Sequence, residues 1–119
     1  MALKPIRWLI LLGGLLIQTS NAMADSALMG RGTLSCGRFA DAYRQNPTEA
    51  ENSYFRWAQG FMSGHNVGER PPGTYRDLDA MTRDAQKQYL RKYCEQHPQA
   101  EYVKGVMDLY LKFPMKRSQ

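Results

Sequence analysis

The sequence predicts an all-α protein, a small orthogonal or bundle-like array of four helices stapled by one disulfide. Apolar residues recur at helical spacing in four successive segments, and no segment alternates apolar and polar residues as a half-buried strand does. Two cysteines, Cys36 and Cys94, fall at the start of the first helical segment and at the end of the third. Together these features predict helices held together by a long-range covalent link.

Residues 1–24 are predicted to be a cleaved signal peptide. Two cations precede Trp8 to Ile17, an apolar run of ten residues that has the length of a signal-peptide core and is too short for a membrane span. Small residues suit signal peptidase at Ala22 and Ala24, so we expect cleavage after Ala24, with Ala22 as the other candidate. An uncleaved signal anchor is the alternative. The prediction places the mature chain in the periplasm, free of the membrane.

Export through an oxidising compartment predicts that Cys36 and Cys94 pair, since an even cysteine count fits a closed bond. In the chain-entropy model, a bond between positions 36 and 94 restricts the denatured chain and so stabilises the folded state by roughly 4 kcal/mol. Two buried free thiols are the alternative. Catalytic thiol chemistry is less favoured, because neither cysteine belongs to a Cys-x-x-Cys motif.

The mature N-terminus, residues 25–33, is expected to be flexible, and a single helical domain is expected over residues 34–114. Its first helix follows the N-cap Ser35 and ends at Asn46-Pro47. The second helix is predicted to start with the capping box Thr48 to Glu51 and to end near Gly64. Its expected core stripe contains Tyr54, Trp57, Ala58 and Phe61, and Gly60 is expected to admit a close backbone.

An extended loop is predicted from Gly64 to Tyr75, because it holds two prolines and further glycines. The third helix is expected to begin near Asp77 or Asp79 and to stop at His97, which we interpret as its C-terminal cap. The fourth helix is expected to open at Pro98 and to end before Pro114. Residues 115–119 are expected to be a mobile basic tail.

Composition and motifs favour a protein without enzymatic activity, cofactor or metal. The net charge is +5, and two of its cations belong to the predicted signal peptide. The remaining charges are interspersed, which disfavours nucleic acid as a partner. The two histidines, His65 and His97, lie far apart, and no nucleophile-elbow, phosphate-loop or metal-ligand motif occurs. A protein partner is therefore the favoured kind of ligand.

Five residues are the candidates for partner binding. Phe55, Met62 and Tyr75 fall off the predicted core stripes, so we expect them to be exposed apolar contacts. His65 is interpreted either as a turn residue or as a partner-facing or pH-sensing group, and Arg70 lies in the predicted loop.

Three motifs follow one another within residues 34–113, and the chain shows them as Ser35-Cys36-Gly37-Arg38-Phe39, Trp57-Ala58-Gln59-Gly60-Phe61-Met62-Ser63-Gly64, and Tyr93-Cys94-Glu95-Gln96-His97-Pro98. They resemble the periplasmic HdeA acid-chaperone superfamily and the related immunity proteins that neutralise peptidoglycan amidase effectors of type VI secretion. The resemblance implies a small helical fold, a disulfide between Cys36 and Cys94, a periplasmic location and no cofactor.

Two functions are consistent with these features. One is an exported binding protein that blocks a specific protein partner through the loop from Gly64 to Tyr75. The other is an acid-stress chaperone that loosens at low pH and holds unfolded client proteins on its exposed apolar helix faces.

Overall fold

The computed structural model describes residues 27–68 and 71–119, so the predicted signal peptide lies outside the described residues. In these two described ranges, four α-helices and one short antiparallel ribbon build a mostly helical fold, which confirms the predicted class. In chain order the elements are α1 (Cys36–Gln45), α2 (Pro47–Gly68), β1 (Thr74–Arg76), α3 (Arg83–Gln96), α4 (Tyr102–Tyr110) and β2 (Met115–Arg117). Within the described ranges, no helix combines the length and the apolar character that crossing a membrane requires.

The start of α1 is capped as predicted. The Ser35 side chain accepts a hydrogen bond from the backbone N–H three residues further on, at 3.2 Å. The backbone N–H groups of the two residues directly after Ser35 donate across the molecule. Cys36 donates to the Ala100 carbonyl at 2.7 Å, and Gly37 donates to the Pro98 carbonyl at 2.9 Å. Because the first N–H groups of a helix have no partner within it, the turn before α4 satisfies donors that would otherwise be orphaned.

The predicted disulfide is confirmed. Cys36 is the first residue of α1 and Cys94 lies in the last turn of α3, with their Cα atoms 4.7 Å apart. Both residues are buried in the core. His97 is the C-cap of α3, and its backbone N–H donates to the Tyr93 carbonyl, so the predicted end of this helix is confirmed as well.

Helix α2 begins earlier and ends later than predicted. Asn46 alone separates it from α1, and the Asn46 side chain accepts a hydrogen bond from the Glu49 N–H at 3.2 Å. Pro47 occupies the first helical position, where its missing N–H costs nothing. The predicted capping box at Thr48 is therefore wrong, and the helix continues beyond Gly64 to Gly68.

Helix α2 is the centre of the core. It contacts α1, α4, β1 and a short 3₁₀ helix, Arg31–Thr33. Because neighbours surround α2 on several sides, it buries more than one stripe. Phe55 and Met62 are only 4% and 1% exposed, so the prediction that they are exposed contacts is wrong. Its partners in the core are Phe39, Leu90, Tyr102, Val106, Leu109, Tyr110 and Phe113.

The N-terminal segment differs from the predicted flexible arm from Met29 onward. The Trp57 indole N–H donates to the Met29 carbonyl at 2.8 Å. Gly32 lies under the same indole, where a Cβ atom would come within 1.9 Å of the Trp57 ring. Only glycine fits this contact, so residues 29–33 form part of the folded domain.

Residues 115–117, predicted to be mobile, form β2 of the ribbon, with Tyr75 of β1 opposite Lys116. Asn66 of α2 holds the outer edge of β1: its side chain donates to the Arg76 carbonyl and accepts from the Arg76 N–H, both at 2.9 Å. The predicted loop from Gly64 to Tyr75 is therefore helix at one end and strand at the other.

The third and fourth helices start later than predicted. Thr82 caps α3 by accepting from the Ala85 N–H at 3.2 Å. Asp77, a predicted starting point, instead forms an ion pair with Lys116. Helix α4 starts at Tyr102 rather than at Pro98, because residues 98–100 form the turn that caps α1.

Candidate functional site

The second half of α2 presents an open face made of small residues, which we call the glycine face: Gly60, Gly64, Gly68 and Val67. The three glycines are spaced four residues apart and lie on adjoining turns of one helix side. Val67 follows Gly60 by seven residues, which returns it to the same side, and its side chain is 89% exposed. The opposite side of this segment carries Ala58 and Met62 into the core.

No contact among the described residues requires glycine at Gly60, Gly64 or Gly68. A Cβ atom added at Gly60, Gly64 or Gly68 would meet no described atom within 4 Å. Glycine in a helix interior costs about 1 kcal/mol relative to alanine, so Gly60 and Gly64 together cost about 2 kcal/mol. Gly68 ends the helix, where glycine is common for local reasons. The expected close backbone neighbour of Gly60 is thus absent from the described part of this chain.

A row of aromatic side chains borders the glycine face. Trp57 stacks on Phe61 with ring centroids 5.1 Å apart and an interplanar angle of 15°. Phe61 then meets the edge of His65 at 4.9 Å, and His65 lies 5.2 Å from the Tyr110 ring. The three α2 side chains of this aromatic row are half-buried. Packing fixes their rotamers, while part of each ring stays accessible.

Two shallow cavities follow the boundary between the aromatic row and the glycine face. The first, of about 390 Å³, lies among Met29, Trp57, Gly60 and Phe61. The second, of about 380 Å³, is lined by Gly60, Phe61, Gly64, His65 and Gly68. Because they share Gly60 and Phe61, the cavities form one continuous groove along α2. Met29, 81% exposed, lies at one end of it.

Of the four predicted binding residues that the structure describes, one lies in this groove. His65 lines it, although as a helix residue rather than in a turn. Phe55 and Met62 are buried, and Tyr75 is a half-buried member of β1. Arg70 lies outside the described residues. The sequence signal for this site is the four-residue spacing of Gly60, Gly64 and Gly68.

A polar cleft of about 380 Å³ on the outer side of α3 and α4 offers different chemistry. The Tyr89 hydroxyl donates a hydrogen bond to the Asp108 carboxylate. Burial, and then this hydrogen bond, raise the pKa of Tyr89 to about 12. The phenol therefore stays protonated at neutral pH and acts as a donor. Beside it, the rings of Tyr93 and His97 contact each other in a tilted arrangement, with centroids 4.4 Å apart and an interplanar angle of 36°.

The described ranges hold no group of three His, Cys, Asp or Glu side chains that could hold a metal ion. The groove along α2 is the candidate functional site because it combines accessible aromatic rings with a face of glycines. It can make apolar and aromatic contacts, and it can admit a second backbone close to its own helix axis.

Comparisons with protein-family models, with curated proteins and with solved structures find no match to this chain. The resemblance to the HdeA-like superfamily accordingly stays a prediction.

Proposed function

We propose that this chain is a small exported binding protein of the periplasm, HdeA-like or immunity-protein-like, which acts by protein–protein contact without catalysis or cofactor. The groove between the glycine face and the aromatic row is its docking site. The disulfide is compatible with the oxidising compartment that the proposed signal peptide implies.

The observation that carries the proposal is the pair of interior glycines, Gly60 and Gly64, which no contact within the described part of the chain explains. Their cost of about 2 kcal/mol is a large fraction of the stability of a small domain. A partner whose backbone packs directly on α2 would explain why glycine occupies these two positions, since any side chain there would hold that backbone away.

The surroundings of the glycines indicate the character of the partner segment. Trp57 and Phe61 offer preordered aromatic surface, which is enriched in the energetically dominant parts of interfaces. Met29 and Val67 add exposed apolar area along the groove. We therefore expect a helix or extended segment with an apolar side, seated along the groove.

A capture experiment tests this proposal. The protein is immobilised and exposed to periplasmic extract of its source organism, alongside the variants Gly64→Leu and Gln88→Leu. Both positions are exposed and helical, and the site of Gly64 has open space, so both variants should fold. We expect a specific partner to bind the wild type and Gln88→Leu but not Gly64→Leu. Equal capture by all three proteins would contradict the proposed docking site.

An acid-stress chaperone is the second candidate, and the placement of carboxylates favours it. Three carboxylates bridge different parts of the fold: Glu51 to Arg91, Asp108 to Tyr89, and Asp77 to Lys116. Contacts of this kind depend on a charged carboxylate, and acid removes that charge. This function predicts reversible loss of tertiary order and suppression of client aggregation near about pH 2–3. A protein that keeps its tertiary structure there, or leaves aggregation unchanged, would exclude it.

A further inference from the structure

A second concave site, separate from the groove, lies where α2 faces α3. We call it the basic cleft. Its volume is about 210 Å³, and its lining consists of three cations, two amides and one ring: Arg56, Arg83, Lys87, Asn52, Gln59 and Phe55. Among the described residues, no acidic side chain lines it. Folding therefore concentrates positive charge in a small concave space.

Among the described residues, the two arginines of the basic cleft have no carboxylate partner, whereas three cations elsewhere in the domain do. Arg44, Arg91 and Lys116 each form an ion pair with a carboxylate. Within the described ranges, the guanidinium groups of Arg56 and Arg83 make neither an ion pair nor a hydrogen bond. Two guanidinium groups, one on α2 and one on α3, are thus left available as hydrogen-bond donors.

Helical spacing explains why these side chains line the same cleft. Asn52, Arg56 and Gln59 follow one another at spacings of four and three residues, which places them on one side of α2. Arg83 and Lys87 are four residues apart at the start of α3 and share a side of that helix. Like charges at this spacing destabilise a helix, so the arrangement gains nothing within α3.

Lys87 is held in place rather than freely mobile. Its ammonium group donates to the Asn52 side-chain oxygen at 3.3 Å and lies 5.5 Å from the centre of the Phe55 ring. Because the oxygen of Asn52 accepts from Lys87, the amide nitrogen of Asn52 is left as a donor. The cleft therefore combines a fixed ammonium, two guanidinium groups and amide donors, with no acceptor charge to balance them.

We propose that the basic cleft binds a phosphate group. A phosphate monoester carries about −1.5 to −2 charges at neutral pH and has three strong acceptor oxygens, which matches three cations on two sides of a cleft. Arginine recognises such oxygens through paired parallel hydrogen bonds. A carboxylate carries one charge and two oxygens, so it satisfies fewer of these donors.

Inorganic phosphate is the first probe, titrated into the purified protein at constant ionic strength while amide shifts are followed by NMR. We expect saturable shifts at Arg56, Arg83 and Lys87, and weaker binding of acetate. Arg56→Gln and Arg83→Gln should each weaken phosphate binding at least about fivefold. The matched controls Arg38→Gln and Lys104→Gln remove one exposed cation elsewhere, with the same change in net charge, and should leave the affinity unchanged.

A second arm identifies the source of the phosphate. Phosphatidylcholine vesicles with and without phosphatidic acid are sedimented with each protein. Binding that needs phosphatidic acid, Arg56 and Arg83 assigns the site to a lipid headgroup, whereas binding of inorganic phosphate alone assigns it to a soluble phosphate compound. The proposal is overturned if phosphate shows no saturable binding, if acetate binds as tightly, or if the control variants weaken binding as much as the cleft variants.

Discussion

Replacing Gly60 or Gly64 with alanine should stabilise the isolated protein. The added methyl group meets no described atom within 4 Å, so there is no packing penalty to offset the gain in helix propensity. That gain is about 1 kcal/mol for each substitution, the usual difference in helix propensity between glycine and alanine. In a domain of this size, 1 kcal/mol raises the Tm by about 4–8 °C.

The assay is thermal and urea unfolding followed by circular dichroism, with Gly105→Ala as the matched control. Gly105 is also a helix glycine, but a Cβ atom there would come within 2.7 Å of the Tyr93 ring. We expect this variant to lose about 1–3 kcal/mol through overpacking. A fall in Tm for Gly60→Ala or Gly64→Ala would contradict this expectation, since it would mean that the fold itself needs glycine on this face.

Three further outcomes follow from the contacts within the fold. Reducing the disulfide, whose cysteines are 58 positions apart, should lower the free energy of unfolding by about 4 kcal/mol, measured by urea unfolding with and without reductant. Asn66→Ala should lower the free energy of unfolding by about 1–3 kcal/mol and increase hydrogen exchange at the Arg76 amide. The reason is that the Asn66 side chain bonds both backbone groups of Arg76 and accepts a hydrogen bond from the Tyr110 hydroxyl. Unchanged exchange at Arg76 would contradict this role. The hydrogen bond from Lys116 holds the pKa of Asp77 below its ordinary value of 3.8, so the contribution of this pair is present above that value and is lost as pH falls through the lowered pKa. NMR pH titration of Asp77 in the wild type and in Lys116→Gln should show a higher pKa in the variant, and equal values would show that the pair does not form.

The sequence predicted the helices and their covalent link because the signals for them are local. Ser35 has an N-cap side chain followed by an apolar stripe, and His97-Pro98 is a strong stop for α3. The disulfide followed from cysteine count and predicted export. All of these signals lie within a few residues or depend on composition, so no tertiary information was needed.

The errors came from tertiary contacts. Phe55 and Met62 fall off the main stripe of α2 but are buried, because neighbouring elements cover more than one side of this helix. The strands of the ribbon have three residues each, too few for a period-two pattern, and β2 is stabilised by distant partners such as Asp77. The glycine face could not be predicted from a helix that ends near Gly64, because α2 continues to Gly68 and so places all three glycines on one side.

Site-specific photo-crosslinking in cells of the source organism tests the proposed docking site most directly. A photoreactive side chain is placed at Val67, which is on the glycine face and 89% exposed, or at Lys104, an exposed position of α4. We expect one discrete crosslinked protein from position 67 that disappears when Gly64 is also changed to leucine, and no such product from position 104. The same products from both positions, or a product from position 67 that persists with leucine at position 64, would contradict it.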